Sequence, residues 1–305
     1  MKNNNKSNLI CFSILMANYN NAPYIEEAIQ SVISQTYPHW KLIIVDDAST
    51  DNSIEKIKPY LKDNRIKLII HKKNLGYGGA LKTAADNPLN MILAIFDSDD
   101  KLHESALEVM AKAYKNNPEY GFIYSTYWVC DFNLKNPQIA KWVGPIEPNK
   151  TNLHKIKVSH FKTFRRDVYR KTKGFDQNQK SAVDKDIIFK LEEVSKLKFI
   201  DKPLYYYRSH EQGISQGKNQ FKAKVYHYIA KLKAYKRRLN TNIPNLTKKE
   251  LYFNYIGIAF YRLNFLIYFY KLFRITMLIE TFLNKFSFLS LKIKKKLINI
   301  RKLID

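Results

Sequence analysis

Short apolar segments alternate with segments of helical period through the first two thirds of the chain, and this alternation restricts the possible folds more than any other feature. We predict strands at Leu9–Leu15, Lys41–Val45, Ile66–Ile70 and Met91–Phe96. We predict helices at Pro23–Gln35, Ser53–Leu61, Gly78–Ala85 and Glu104–Tyr114. Strands that alternate with helices indicate an α/β fold with a mainly parallel sheet flanked by helices.

Beyond Gly121 the pattern changes to shorter strands and loops that contain several prolines. A further helix is predicted from about Asp184 to Ser195, and an apolar segment, Phe199–Tyr207, follows it. The predicted α/β domain therefore spans residues 8–215.

Aspartates directly follow two of the predicted strands. Asp46 and Asp47 close the second strand, and Asp97, Asp99 and Asp100 follow the fourth. Ligands of parallel α/β sheets bind at the carboxyl ends of the strands, which is where both clusters lie. Carboxylates spaced as Asp-x-Asp supply the hard oxygen ligands that Mg²⁺ and Mn²⁺ prefer. One such pair alone is more often an ordinary surface turn, but two clusters at two strand ends favour a metal-assisted phosphate site.

Five short motifs follow one another along this part of the chain. They are ANYN at 17–20, VDDASTD at 45–51, HKKNLGYGGA at 71–80, FDSDD at 96–100 and AVDKD at 182–186. In order and spacing they resemble the motifs of the family 2 glycosyltransferases, and the resemblance covers residues 8–215. It implies a GT-A fold, an inverting reaction and a nucleotide-diphosphate sugar as donor. Ala17 is a departure, because the family often has Pro or Thr there, but this donor-site position is expected to contribute mainly backbone.

The resemblance also implies which residues contact the nucleotide sugar. Tyr19 would pack against the nucleobase, Asp47 would accept a hydrogen bond from the base, and Asp46 would help shape the same pocket. The glycine-rich turn that starts at Gly76 would let the backbone approach the nucleotide closely. Lys82 would contact the donor phosphate or base. The alternatives are a half-buried structural tyrosine at position 19 and a solvated helix lysine at position 82.

A divalent cation, Mn²⁺ or Mg²⁺, is implied next to the donor. Asp97 would lie near the ribose or the metal with Ser98 beside it, and Asp99 would ligate the metal directly. His210 resembles the histidine that completes the metal shell in some relatives, and imidazole is an acceptable ligand for Mn²⁺. A loop histidine without a ligand role is the alternative. The cation would offset the charge that develops on the leaving diphosphate.

The resemblance implies that Asp184 is the catalytic base that takes the proton of the acceptor hydroxyl. Val183 stands where the family usually has an acid, which leaves the base itself in place. Asp186 is the rival, but its acidic side chain is interpreted as stabilising the amino-terminal end of a helix. Three basic residues are predicted to border the acceptor side, with a structural role as the alternative: His160, Arg165 and Arg166.

The last third of the chain carries most of its charge. The formal net charge is +25, and residues 217–305 hold 20 Lys and Arg against three acidic residues. We predict a helical, basic extension over 216–305, because its aromatic-rich apolar segment followed by lysines is typical of helices that lie on anionic membranes. A helical cap on the catalytic domain or on a partner is one alternative. A membrane-spanning helix is another, but Asn254, Arg262 and Asn264 interrupt the apolar segment.

Two features bear on the compartment. Two cysteines, Cys11 and Cys130, are too few for a disulfide scaffold or a zinc site, which favours a reducing cytosol. The polar start of the chain has no cleavage-like site and is predicted to be a short arm before the first strand rather than a signal peptide. We therefore expect a cytoplasmic protein that is peripheral at the inner face of the cell membrane.

The sequence therefore predicts an inverting glycosyltransferase that passes a sugar from a nucleotide-diphosphate donor to an acceptor hydroxyl. UDP is the expected carrier by resemblance, with GDP and dTDP as alternatives. Glycan or lipid-linked acceptors, in the synthesis of surface polysaccharide or lipopolysaccharide, are implied in the same way. A catalytically inactive nucleotide-sugar-binding or scaffold protein is disfavoured, because the metal acid and the base acid are both present. Nucleic-acid binding is also disfavoured, because the sequence shows no recognition module.

Overall fold

The computed structural model describes residues 9–87, 90–210, 213 and 216–239. The chain divides into two compact units, Met1–Tyr252 and Phe253–Asp305. The second unit, which holds most of the segment predicted to contact a membrane, lies outside the described residues. The domain boundary predicted at residue 215 falls within the first unit.

The described residues form one nine-stranded sheet and seven α-helices. The strands are β1 Phe12–Asn18, β2 Trp40–Asp46, β3 Ile66–Ile70, β4 Ile92–Ile95, β5 Lys101–Leu102, β6 Tyr120–Cys130, β7 Gln138–Ile139, β8 Lys162–Arg165 and β9 Lys196–Arg208. The helices are α1 Ile25–Ile33, α2 Ser53–Ile57, α3 Tyr77–Asp86, α4 Ala106–Asn116, α5 Arg166–Arg170, α6 Val183–Glu192 and α7 Gln220–Leu239. The predicted α/β class is confirmed.

The sheet is parallel in its first half and mixed in its second. The strand order is β3-β2-β1-β4-β8-β6-β9-β5, with β7 paired to β6. The strands from β3 to β4 run parallel, as predicted. The next strand, β8, runs antiparallel to both β4 and β6, while β9 runs parallel to β6. The carboxyl ends of β1, β2 and β4 therefore meet at one edge, where the aspartates lie.

The central strands read as continuous apolar segments because they are covered on both faces. All residues of β4 are buried, and β1 is buried except for the partly exposed Ala17. Strands with two buried faces show no alternation of polar and apolar residues. Against them packs α1, which buries Ile25, Ala28, Ile29 and Val32 at helical spacing.

Two elements differ from the sequence-based prediction. The helix predicted over Ser53–Leu61 stops at Ile57 and continues as a 3₁₀ turn, Lys58–Lys62, because Pro59 lacks the N–H that an α-helix needs there. The region after Gly121, predicted as short strands and loops, contains the long strand β6 Tyr120–Cys130. Its buried residues follow one another without a break, so polar and apolar residues do not alternate along it. The sequence therefore contains no pattern from which a strand of this length could be predicted.

The last described helix, α7, packs on α6, the helix that carries Asp184. Arg238 of α7 is fully buried and its guanidinium contacts Glu192 at 2.7 Å and Glu193 at 3.3 Å. Arg237 contacts the Glu193 carboxylate at 2.8 Å. Removing one partner of a buried ion pair costs about 3–5 kcal/mol. The predicted extension over 216–305 therefore begins with a helix that supports the α/β domain.

The described residues include seven α-helices and both cysteines of the chain. None of the helices in this part of the chain combines the length and the apolar character needed to cross a bilayer. Cys11 and Cys130 are both free thiols, the first partly exposed and the second buried.

Candidate active site

Asp46 lies at the carboxyl end of β2 and is fully buried. Its carboxylate accepts hydrogen bonds from the Asn18 amide at 2.8 Å and from the Ser49 hydroxyl and backbone N–H at 2.7 and 2.9 Å. These contacts join the ends of β1 and β2 to the turn that follows. The predicted role of Asp46 in shaping the nucleotide pocket stays a prediction.

Asp47 holds the glycine-rich turn. Its two carboxylate oxygens accept hydrogen bonds from the backbone N–H groups of Leu75 and Gly76 at 2.8 and 2.7 Å. His71 Nδ1 lies 2.7 Å from the same carboxylate, and its Nε2 lies 3.0 Å from the Thr83 hydroxyl. Asp47 is almost completely buried. The predicted hydrogen bond from a nucleobase to Asp47 stays a prediction, and the structure adds this second role.

The turn itself requires glycine at two positions. Gly76 has a φ of 82°, a backbone conformation that side chains disfavour, and it directly precedes α3. At Gly78 a β-carbon would lie 2.5 Å from the backbone oxygen of Asp176. The amino-terminal end of α3 therefore packs against a loop near α6 at a distance that no side chain permits.

Of the other residues assigned to the donor, Tyr19 and Ser98 lie at the same edge of the sheet, and Lys82 lies in α3. Tyr19 follows β1 with 47% of its surface exposed, which leaves its ring accessible to a ligand. Ser98 is buried and its hydroxyl accepts a hydrogen bond from the Asn21 amide at 2.8 Å. Lys82 points its ammonium to Asp86 at 3.1 Å, one helical turn away on an exposed face. That contact agrees with the alternative interpretation of Lys82 as a solvated helix lysine. Contact of Lys82 with the donor stays a prediction.

The three aspartates after β4 have different surroundings. Asp100 is 1% exposed, and its oxygens accept hydrogen bonds from the Tyr205 hydroxyl at 2.6 Å and the Arg208 backbone N–H at 2.7 Å. The side chains of Asp97 and Asp99 keep 21% and 23% of their surface exposed. The two accessible carboxylates are thus those of the Asp-x-Asp pair.

Asp99 and His210 come together although they are 111 residues apart in the chain. His210 Nε2 lies 2.9 Å from Asp99 Oδ2, so the two residues predicted as metal ligands are neighbours. The Arg208 side chain supports them, because it donates to the backbone oxygen of Asp99 at 2.7 Å and contacts Glu27 at 2.6 Å. Its guanidinium also lies over the ring of Tyr24, which packs against His210.

The side chains fit a divalent cation by the chemistry of their donor atoms. Carboxylate oxygens and an imidazole nitrogen are suitable ligands for Mn²⁺. A second set of donors also lies within reach: one ligand atom from each of Asp97, Asp100 and His160 falls within 4.8 Å of the others. Asp100 is buried and accepts hydrogen bonds from the protein, whereas Asp99 keeps an accessible carboxylate next to His210. Metal ligation by Asp99 and His210 stays a prediction.

Asp97 is held at the centre of the site. Its oxygens accept a hydrogen bond from the Tyr77 hydroxyl at 2.5 Å and lie 3.3 Å from the Tyr205 hydroxyl. Burial, with the negative charge of Asp99 adding to it, raises the pKa of Asp97 to about 6, although the charge of Lys162 opposes the rise. A site that concentrates carboxylates in this way favours a bound cation, which relieves their mutual repulsion.

Asp184 lies in the first turn of α6, whose preceding residue, Ala182, adopts a left-handed conformation with φ of 53°. The Asp184 carboxylate lies 3.3 Å from the Lys162 ammonium and 3.5 Å from that of Lys185. Burial alone would raise the pKa of Asp184, but the charges of Lys185 and Lys162 outweigh it and hold the pKa well below its usual range. Its side chain is 23% exposed, which leaves the carboxylate accessible to an acceptor.

The rival acid has a structural position. Asp186 is fully buried, and its carboxylate contacts Lys190, one turn along α6, at 2.5 Å. Arg237 of α7 lies 3.7 Å from the same carboxylate. The structure thus favours the interpretation of Asp186 as a helix-stabilising residue.

The three residues predicted at the acceptor side divide into two groups. His160 stacks on Tyr205 and Tyr207, with ring centroids 4.6 and 5.3 Å apart, close to Asp97. Arg165 instead donates to the backbone oxygen of Tyr120. Arg166 is the first residue of α5. Arg165 therefore has a structural contact, while His160 belongs to the site.

Sequence reasoning missed several residues of the site. Tyr77 is part of the motif at 71–80 but was not singled out, and Arg208 directly precedes the SH pair that contains His210. Lys162 stands between phenylalanines in FKTF, and a lysine flanked by buried aromatic residues is the signal that could have revealed it. The fourth missed residue, Tyr205, lies in a run of three tyrosines in which no position is distinguished.

Comparison with known proteins bears on the identity of this site. The sequence profile described as "Glycosyl transferase family 2" matches residues 13–173, more than half of the chain. The chain belongs to glycosyltransferase family 2. The expectation from the five motifs is thereby confirmed, and with it the expectation that the chain is a glycosyltransferase.

Named relatives of this glycosyltransferase build polysaccharides or act on lipid-linked sugars. It is 30% identical to a chondroitin synthase of Pasteurella multocida over 194 residues, which are 63% of this chain and 20% of that protein. It is 35% identical over 134 residues to the Escherichia coli UDP-Glc:alpha-D-GlcNAc-diphosphoundecaprenol beta-1,3-glucosyltransferase WfgD, covering 44% of this chain and 51% of the relative. The matched part thus spans about a fifth of the first relative and half of the second.

Solved structures support the GT-A fold of this glycosyltransferase. The Staphylococcus aureus TarS fragment 1–349 in complex with UDP-GlcNAc superposes with a TM-score of 0.67 at 19% identity, covering 82% of this chain and 73% of that one. The mannosyltransferase PcManGT of Pyrobaculum calidifontis, in complex with GDP-Man and Mn²⁺, gives 0.57 at 16% identity, with 82% and 70% covered. At these identities the likeness shows the fold.

Proposed function

We propose that this chain is an inverting glycosyltransferase that moves a sugar from a UDP-sugar to a hydroxyl of a glycan or lipid-linked acceptor in surface polysaccharide or lipopolysaccharide synthesis. The single observation that carries the proposal is the grouping of Asp99 and His210 in contact with each other, with Asp184 as a separate accessible carboxylate. Tyr77 is influenced by both groups of carboxylates. Burial raises the pKa of its hydroxyl, and the charges of Asp97, Asp184 and Asp99 raise it further.

The chemistry follows from this division of the carboxylates. Asp184 accepts the proton of the acceptor hydroxyl while the oxygen of that hydroxyl forms a bond to the anomeric carbon of the donor. The bond between the anomeric carbon and the diphosphate breaks on the opposite face, which inverts the configuration. A divalent cation held by Asp97, Asp99 and His210 would supply positive charge where the leaving diphosphate gains negative charge. The Tyr77 hydroxyl donates a hydrogen bond to Asp97 and so helps to keep that carboxylate in place.

The choice of UDP is supported by the names of similar proteins. The WfgD relative uses UDP-Glc by its name, and a structural neighbour binds UDP-GlcNAc, whereas another binds GDP-Man. The deciding experiment is a panel of UDP-, GDP- and dTDP-sugars tested for Mn²⁺- and Mg²⁺-dependent release of the nucleoside diphosphate. We expect turnover with at least one UDP-sugar and none with EDTA. Binding of UDP without turnover of any nucleotide sugar would instead support an inactive binding protein.

The acceptor side carries an exposed aromatic ring. Trp142 is 44% exposed and packs its edge against Tyr127, 6.4 Å away. Lys185, which contacts Asp184, places its ammonium 5.6 Å from the Trp142 ring centroid. A flat ring beside the catalytic carboxylate suits the apolar face of a sugar, so we propose that the acceptor stacks on Trp142.

Replacing Trp142 with Ala should therefore raise the KM for a glycan acceptor about tenfold, the equivalent of ~1.4 kcal/mol of lost stacking. Trp142→Phe should keep most of the affinity, since the flat ring remains. The measurement is acceptor-dependent transfer alongside donor hydrolysis by water, which neither substitution should change. An equal rise in the KM for the donor would contradict this placement of the acceptor.

We also propose that the protein acts at the inner face of the cell membrane, held there by its basic, aromatic-rich extension. The charge of residues 217–305 and the undecaprenol-linked substrate of a relative support this. The full chain should sediment with phosphatidylglycerol vesicles and not with phosphatidylcholine vesicles, and about 0.5 M salt should weaken the binding because ions screen the attraction. Equal binding to both vesicle types would count against an electrostatic contact.

A further inference from the structure

Lys162 is a buried cation in the centre of the site to which the proposed mechanism assigns no chemical step. Its side chain is 1% exposed, yet it carries an ammonium group that water would otherwise stabilise. Burying a charge is unfavourable unless the charge is paired. Its partner is Asp184, whose Oδ2 lies 3.3 Å from the Lys162 Nζ. The buried ammonium of Lys162 and the carboxylate of Asp184 therefore stabilise each other's charge.

Strand pairing fixes the position of the Lys162 backbone in the sheet. Lys162 is the first residue of β8, paired with Ile95 at the end of β4 and with Tyr124 of β6. Asp97 comes two residues after Ile95, so Lys162 stands beside the strand end that carries the metal-site carboxylates. The charge of Lys162 lowers the pKa of Asp184, opposing the effect of burial. Lys162 thus contacts the acceptor-side carboxylate from a strand that adjoins β4, which leads to the donor-side carboxylates.

We propose that Lys162 is a positioning residue for the reaction, whose buried ammonium keeps the Asp184 carboxylate ionised and in place on the acceptor side. The inference rests on the proposed role of Asp184 as base. A carboxylate can accept the proton of an attacking hydroxyl only if it is not already protonated. Without the enclosed cation 3.3 Å away, burial would favour the protonated form of Asp184.

Other charges also face Asp184. Besides Lys162, the titratable groups that interact with it belong to Lys185, His160, His227, Asp97, Tyr77 and Tyr127. Burial and the charge of Lys162 hold the pKa of His160 well below its usual value, so its ring is neutral near pH 7. Burial likewise lowers the pKa of His227 to about 4. Near neutral pH, the cations beside Asp184 are therefore the two lysines.

Lys162 differs from Lys185 in how it is held. The Lys185 side chain is 18% exposed, and its ammonium also donates to the backbone oxygen of Val158 at 3.2 Å. Water reaches the ammonium of Lys185, whereas that of Lys162 is enclosed by the protein. Both charges lower the pKa of Asp184, that of Lys185 more strongly. Lys162 is therefore distinguished from Lys185 by its enclosure, which leaves its charge without solvent screening.

The test compares Lys162→Met, which removes the charge at similar size, with Lys162→Arg, which keeps it. Lys56→Met is the matched control, because Lys56 pairs with Glu26 at 3.0 Å on the surface. The first readout is metal-dependent hydrolysis of UDP-GlcNAc, or of whichever nucleotide sugar the wild type turns over, from pH 5 to 8. UDP affinity by calorimetry shows whether the donor pocket is intact.

We expect Lys162→Met to lower kcat ~10–100-fold at pH 7 and to make the rate rise more steeply with pH than that of the wild type, since Asp184 becomes protonated at low pH. Lys162→Arg should restore activity to within about fivefold and restore the pH profile of the wild type, and UDP affinity should change less than about threefold. A Lys162→Met profile that matches those of the wild type and Lys56→Met would overturn the proposal. So would a loss that Lys162→Arg shares fully at every pH.

A second measurement needs no substrate. In Lys162→Met the pKa of Asp184 in the folded state should exceed its unfolded value, so the folded state binds more protons and Tm should gain more than in the wild type as the pH falls from 8 to 5. Lys162→Met with Asp184→Asn should lose the part of this gain that Asp184 contributes. Identical Tm profiles for the single and double variants would refute the coupling. If the wild type turns over no nucleotide sugar, the proposed function fails, while these Tm profiles still decide whether Lys162 keeps Asp184 ionised.

Discussion

Replacing Asp184 with Asn should lower sugar transfer ~10²–10⁴-fold while UDP-sugar binding stays within a few-fold of the wild type. The amide has nearly the size of the carboxylate but cannot accept the proton of the acceptor hydroxyl. Donor binding should persist, because the residues assigned to the nucleotide follow β1, β2 and β4 rather than α6. The measurement is the initial rate of transfer or donor hydrolysis, together with donor binding by calorimetry.

Asp186→Asn is the matched control on the same helix. Asp186 is fully buried against Lys190, so its replacement should lower the free energy of unfolding by about 3 kcal/mol and leave kcat of the folded protein unchanged. Asp184→Asn also leaves Lys162 without its partner, so Tm must be measured to confirm that the protein is folded. Equal loss of donor binding and transfer would reassign Asp184 to the donor site. Full activity of Asp184→Asn would end the proposed mechanism.

Replacing Asp99 with Asn should lower kcat ~10²–10³-fold and raise the Mn²⁺ concentration needed for half-maximal rate at least about tenfold. Asp99 contributes an accessible carboxylate that contacts His210, and the amide is a weaker ligand without charge. The measurement is the rate as a function of Mn²⁺ concentration at saturating donor. Asp63→Asn, which removes a surface carboxylate paired with Arg65, should leave both quantities unchanged.

The Asp99 result also discriminates between the two possible sets of metal ligands. If Asp99→Asn keeps the metal dependence of the wild type while His160→Gln loses it, the cation is held by Asp97, Asp100 and His160. That outcome would require Asp100 to exchange a hydrogen bond from Tyr205 or Arg208 for the metal. The burial of Asp100 is the reason we expect the opposite.

Much of the fold was predictable because the spacing of apolar residues along a segment indicates its secondary structure. The first four long strands, their parallel pairing and the aspartates at their ends follow from apolar segments that alternate with helices. The glycine-rich turn and the first turn of α6 were recognisable from motifs. The errors lie where periodicity is uninformative, as in β6, which is buried on both faces, or where a single residue such as Pro59 changes the helix type.

The assignment of roles at the site depended on contacts between distant segments. The sequence identified Asp99 and His210 as separate candidates, and only the fold shows that they touch across 111 residues. Asp184 and Asp186 are two residues apart and chemically equal in the sequence. The structure separates them, since one carboxylate is accessible beside two lysines and the other is buried against Lys190.

The amino-acid sequence alone was sufficient for the α/β class, the glycosyltransferase family and the positions of the acids, because these depend on residue type and spacing along the chain. The tertiary structure alone revealed the contact of buried Lys162 with Asp184, the enclosure of Asp100 and the packing of α7 on α6. The physical reason is that burial and unscreened charge are properties of packing, which brings together residues whose separation in the chain carries no signal.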